Sequence, residues 1–81
     1  MVTTPPVEAT VSLSTAVAAE VRSEIARRGI RPAAFADQLG VPVHWLRNRL
    51  NGLVQINLDD LAKIAEGLDV DPTALLERAA S

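Results

Sequence analysis

Phe35-Ala36-Asp37-Gln38-Leu39-Gly40-Val41-Pro42-Val43-His44-Trp45-Leu46 reads as two short helices meeting at a tight turn. Two helices can cross sharply only where their contact is small and the turn between them accepts an unusual backbone. Ala36 supplies the small contact, Gly40 the turn, and Leu46 the apolar plug that seats the second helix on the first. Pro32 suits the first helical position, because the N–H it lacks would be unpaired there in any case. Phe35, Ala36 and Leu39 then form the inner face of this helix, and Gly40 ends it. The second helix is expected over about 43–51, with Pro42 near its first turn and Leu46 and Leu50 as its i, i+4 anchors.

On the N-terminal side, Leu13, Val17, Val21 and Ile25 are spaced by four and make one apolar stripe. A helix with that stripe is expected to begin at Ser14 or Thr15, both good caps, and to end at Arg28. Gly29 and Ile30 fit a Schellman stop, with Ile30 folding back onto Ile25. Residues 1–13, with Thr-Thr-Pro-Pro near their start, are expected to form a flexible arm. Val7, Ala9, Val11 and Leu13 alternate with polar residues, so a strand paired with a second subunit is the alternative for that segment.

On the C-terminal side, Asn51-Gly52 closes the second helix of the pair and opens a loop to Asn57. Asn57 is expected to cap a fourth helix, with Asp59 and Asp60 in the first turn where the helix dipole favours negative charge. Leu58, Leu61, Ala62, Ala65 and Leu68 are its expected buried stripe, and Asp69 its left-handed stop. Asp71-Pro72 restarts the chain as a fifth helix with Leu75, Leu76 and Ala79 apolar. The expectation is an all-α domain of five helices over 14–81, with the helix-turn-helix at 32–51.

Eighty-one residues make one domain, without room for a separate sensing or catalytic domain. There is no cysteine, which excludes disulfides and cysteine-ligated zinc. No apolar run approaches a membrane span, and a cytoplasmic protein is expected. One histidine, no tyrosine and no phosphate-cradling glycine loop argue against an enzyme, a metal site or a cofactor. The net charge of −2 looks unsuited to nucleic acid, but it is unevenly spread. Residues 22–49 carry Arg22, Arg27, Arg28, Arg31, Arg47 and Arg49 against Glu24 and Asp37, whereas residues 59–78 carry six acids against Lys63 and Arg78. The pattern points to a basic face in mid-chain and an acidic C-terminal part; solvated helix faces are the plainer reading.

The spacing over 35–46 resembles the helix-turn-helix of the Cro/phage-repressor family, also called the Xre family. The resemblance extends over about 15–79, through Arg28-Gly29, Phe35-Ala36, Leu39-Gly40-Val41, Asn51-Gly52 and Leu61, Ile64-Ala65, Leu68 and Val70. It implies a lambda-repressor-like five-helix fold and a transcriptional repressor that binds double-stranded operator DNA as a homodimer, in the manner of a phage Cro or a compact immunity repressor. The implied base-reading positions are Val43, His44, Arg47, Asn48 and Asn51, with Pro42 beside them. Arg47 suits guanine, Asn48 adenine, and Val43 a thymine methyl. Arg28, Arg31 and Arg49 are candidate phosphate contacts, as are the backbone N–H groups near Ala33 and Ala34. Trp45 is expected to pack rather than touch a base, and Arg49 has the alternative of pairing with a carboxylate.

Three positions depart from the family pattern. Pro32 stands where the family often has a phosphate-bridging Gln, and Arg49 stands at a usually apolar position. The loop Leu53-Val54-Gln55-Ile56 lacks the basic residue often found there. Its exposed apolar residues ask for a partner. Either Leu53, Val54 and Ile56 build a homodimer seam with Leu76, or they cover the fourth helix from outside. No small-molecule ligand is expected. The alternatives to an operator-binding repressor are an antitoxin that represses its own operon, and a protein-interaction module that has lost operator binding.

Overall fold

The structure, a computed structural model, describes residues 12–81. Among these, five helices follow one another: α1 (Leu13–Arg27), α2 (Pro32–Leu39), α3 (Val43–Leu50), α4 (Leu58–Leu68) and α5 (Pro72–Ala80). No strand occurs among the described residues. The arm and strand readings of residues 1–11 lie outside them. Leu13 belongs to neither, because it is the first residue of α1.

The ends of the helices are set by short-range hydrogen bonds. The cap of α1 is Ser12 rather than Ser14 or Thr15: its Oγ accepts from the Thr15 amide at 3.1 Å. Ser14 is thereby free for another task, and its Oγ accepts from the Ile56 amide at 2.7 Å, pinning the loop before α4 to α1. Asn57 caps α4 in a capping box closed by Asp60. Asp71 caps α5 ahead of Pro72.

Three helices stop in the same way. Ile30, Val41 and Val70 each donate to a carbonyl five residues back, on Ile25, Ala36 and Ala65, at 2.9 to 3.0 Å. Each of the three is an apolar residue that folds back onto the core. The residue before it takes positive φ, 75° at Gly40 and 57° at Asp69. At Gly40 this left-handed step turns the chain from α2 into α3.

α1 lies against α3 and α5, while α2 packs on α3 and α4, and α4 on α5. The core draws on all five helices, with Val17, Val21, Ile25, Phe35, Leu46, Leu50, Leu61, Ile64, Leu68 and Leu75 buried. Gly67 lets α4 approach α2. A Cβ there would run into the Leu39 side chain and lie 3.1 Å from Cε1 of Phe35. Gln38 reinforces the same contact by donating to the Gly67 carbonyl at 2.7 Å.

The buried face of α4 differs from expectation. Leu61, Ile64, Ala65 and Leu68 form it, at the i, i+3, i+4, i+7 spacing of a helix face. Ala62 falls off that phase and is exposed. Leu58 keeps the phase but sits at the first helical position, on the rim of the packed region, and is 77% exposed.

Glu24 organises the outer side of α1. Its carboxylate meets Arg27, Arg28 at 2.9 Å and, across to α5, Arg78 at 3.1 Å. These guanidiniums, Arg27 first, hold its pKa down from the usual 4.5 to about 2. A carboxyl whose folded pKa is depressed stabilises the fold above its unfolded value and loses that contribution as pH falls through the folded one. Thermal melts of the wild type are therefore expected to fall between about pH 4.5 and 2. Glu24→Gln should melt lower at neutral pH and show a shallower decline over that window. Parallel pH profiles for the two proteins would count against this cluster as a source of stability.

Candidate nucleic-acid interface

α3 presents two faces because its apolar residues are only partly periodic. Leu46 and Leu50 enter the core. His44, Arg47 and Asn51 are exposed, and Asn48 is half-buried, so 44, 47, 48 and 51 make an i, i+3, i+4, i+7 stripe on the opposite side. Val43 lies between the faces, half-buried and packed against the core. The Asn48 carbonyl accepts from the amides of Leu53 and Val54 at 2.9 and 3.1 Å, which leaves the Asn48 side-chain amide out of the turn that ends the helix. Four hydrogen-bonding side chains thus share one face of the second helix of the pair.

Trp45 takes the packing role. It is half-buried, and the Arg49 guanidinium stacks 4.0 Å from its ring centroid. Arg49 also pairs with Asp60 at 2.9 Å and donates to the Trp45 carbonyl at 3.2 Å. The two side chains of the pair are only 16% and 11% exposed. Arg49 thus takes up the alternative of pairing with a carboxylate: two of its N–H groups, to Asp60 and to the Trp45 carbonyl, tie α3 to the first turn of α4. This is how the chain accommodates a charged residue at a position expected to be apolar: the guanidinium stacks on the Trp45 ring and the capping-box carboxylate neutralises it.

The same test sorts the other cations. Arg27 and Arg28 face Glu24, and Arg78 faces Glu24 and Glu20. Arg28 remains accessible from solvent, but its charge is compensated. Arg22, Arg31 and Arg47 form no ion pair among the described residues. The basic face expected over 22–49 thus contracts to these three. Arg31 is the N-cap of α2, whose start has no side-chain cap, so the first amides around Ala33 and Ala34 open to solvent beside it. Arg22 donates to the Leu50 carbonyl at the end of α3 and fastens that helix to α1. Nothing local announces this role, since the two residues lie 28 positions apart.

The expected dimer residues fall into two groups. Leu53 is 76% exposed, and Val54 is also exposed. Ile56 and Leu76 are half-buried against the core and line one groove together with Leu13 and Leu58. Ile56 and Leu76 cover the core, while Leu53 and Val54 stand clear of it. Leu58, expected in a buried stripe, and Leu13, the first residue of α1, add to the exposed apolar area at that groove.

Among the described residues no cluster of His, Cys, Asp or Glu is placed to hold a metal ion. None of the described helices is long and apolar enough to cross a membrane.

No protein-family model matches the chain, and no curated protein matches it. Among solved structures, the chain is similar to the clp gene regulator ClgR from C. glutamicum, with a TM-score of 0.80 and 24% sequence identity. The likeness covers 88% of this chain and 92% of that one. At that identity it shows a shared all-helical fold.

Proposed function

We propose that this protein is a sequence-specific DNA-binding transcriptional regulator, and that α3 is its recognition helix. The observation that carries the reading is the outward stripe of exposed His44, Arg47 and Asn51 with half-buried Asn48 on the second helix of a helix-turn-helix. Arg and Asn are the side chains whose paired donors and acceptors match guanine and adenine edges in the major groove. Arg31 and the open amides at the start of α2 supply phosphate contacts that fix the register, without reading sequence. The likeness in fold to a clp gene regulator agrees with a regulatory role. The chain acts without catalysis of its own, as a repressor of the compact, Cro-like kind.

Selection of bound sequences from a random duplex pool near physiological salt tests the reading directly. Enrichment of a palindrome with half-sites about one helical turn apart is expected. No enrichment by a folded, helical protein would overturn it in favour of a protein-interaction module. On the selected site, Arg47→Ala should lose about 1–3 kcal/mol and relax preference at one base pair. Arg31→Ala should weaken all duplexes alike and flatten the salt dependence. Equal losses on specific and random duplexes for Arg47→Ala would remove it from the base-reading set.

Two copies per operator are part of the proposal. The exposed Leu53, Val54, Leu13 and Leu58 supply the apolar area for a homodimer seam. Sedimentation at tens of micromolar, roughly the range for a modest interface, should show a dimer. Leu58→Lys should shift it toward monomer without unfolding it, since Leu58 lies outside the core. A monomeric wild type, both free and on its selected duplex, would sink the seam.

A further inference from the structure

A second groove, of about 370 Å³, opens between α1, the α1–α2 turn and the end of α3. Ala26, Ile30, Pro32 and Leu50 supply its apolar walls. Its polar groups among the described residues are Arg47, Asn51 and Arg22, which also donates to the Leu50 carbonyl, and no described carboxylate lines it. Arg22 and Arg47 are two of the three arginines without an ion pair among the described residues. The volume falls within the roughly 300–1,000 Å³ of ordinary small-ligand clefts. The combination has a chemical meaning. A nucleic-acid phosphate uses the guanidiniums but has no need of an aliphatic floor, whereas an apolar neutral molecule leaves two cations uncompensated. An amphiphilic anion uses both.

We propose that this groove binds a small amphiphilic carboxylate, with its hydrocarbon part on Ile30, Pro32 and Leu50 and its carboxylate at the Arg22, Arg47 and Asn51 rim. Arg47 and Asn51 belong to the stripe assigned to base reading, so occupancy competes with DNA; this second half rests on the function proposed above. Such a site needs no separate sensing domain, because the groove lies within the helix-turn-helix unit and shares residues with the proposed reading face.

The test is a methyl and amide NMR titration of the full chain with octanoate, and in parallel with 1-octanol. Octanoate should shift Ile25, Ile30 and Leu50, and octanol should bind about tenfold more weakly for want of the charge-assisted hydrogen bonds. Ala26→Phe, a change at an exposed wall residue outside the core, should fill the groove and abolish both. Fluorescence anisotropy on the selected duplex should show octanoate releasing the wild type but not Ala26→Phe. Absent shifts, equal affinity for octanoate and octanol, or shifts at Leu13, Leu58 and Leu76 instead would overturn the site, whatever the duplex binding shows. Shifts in the groove with duplex binding unmoved by octanoate would overturn the competition. A protein that takes octanoate but selects no duplex would overturn the DNA reading and leave the carboxylate site standing.

Discussion

Phe35→Ala is expected to be among the most destabilising single truncations in the protein, with a urea midpoint far below that of the wild type. The ring is fully buried at the junction of α2 with α4, where Gly67 brings the two helices together. Truncating a buried Phe to Ala removes about 3–5 kcal/mol, through lost transfer energy and the cavity left behind. A domain of this size has a total stability of about 4–12 kcal/mol, so the loss takes from about a quarter of it to all of it. The cavity has little means of collapsing. Ala36 beside it is already small, and Gln38 holds the α4 carbonyl at a fixed distance from α2. Phe35→Leu, which keeps most of the volume, should retain a cooperative transition at a reduced midpoint. Urea denaturation followed by circular dichroism at 222 nm separates the cases. A Phe35→Ala protein with a transition close to wild type would show that α2 is not anchored through this ring, and the helix-turn-helix geometry built on it would have to be redrawn.

Asp60→Ala should be the most damaging change of a polar residue. It removes the partner of a guanidinium that is itself only 16% exposed, and it breaks the capping box at the start of α4. Breaking a buried ion pair on one side costs about 3–5 kcal/mol, and the residual solvent contact places this case near the lower end. Replacing both partners tests the cause. Arg49→Leu combined with Asp60→Ala should recover about 1–2 kcal/mol relative to Asp60→Ala alone, because no orphan charge remains to be buried. The part belonging to the lost cap, about 1 kcal/mol, should not return. A cost for Asp60→Ala below about 1 kcal/mol would class the pair with ordinary surface ion pairs. The pair ties α3 to α4 around the loop that carries Leu53 and Val54. If the proposed function holds, affinity of the double variant for the selected duplex, measured at a temperature where it is fully folded, reads out how much this tie positions α3.

The sequence by itself determined the elements and their order. Helix starts and stops are local events. A cap reaches two or three residues forward and a Schellman stop five residues back, so Asn57, Asp71, Gly29-Ile30 and Gly40-Val41 declare themselves within a few residues of chain. Helical phase is likewise local, and it identified Val17, Val21, Ile25, Leu46 and Leu50 as core. Local signals fall short at Ser12, where Ser14 and Thr15 offer alternative caps, and at Leu58, where a residue in phase overhangs its neighbours.

Only the tertiary structure decided which charges are free. A long cationic side chain finds its partner in space. Arg49 meets Asp60 across 11 positions, Arg22 meets the Leu50 carbonyl across 28, and Arg78 meets Glu24 across 54. No periodicity encodes such meetings, because they depend on how the five helices stack after each has formed. The candidate site was legible as a set of outward positions on α3. Its electrostatics, reduced to Arg22, Arg31 and Arg47, and the groove that two of them share exist only once α1, α2 and α3 are brought together.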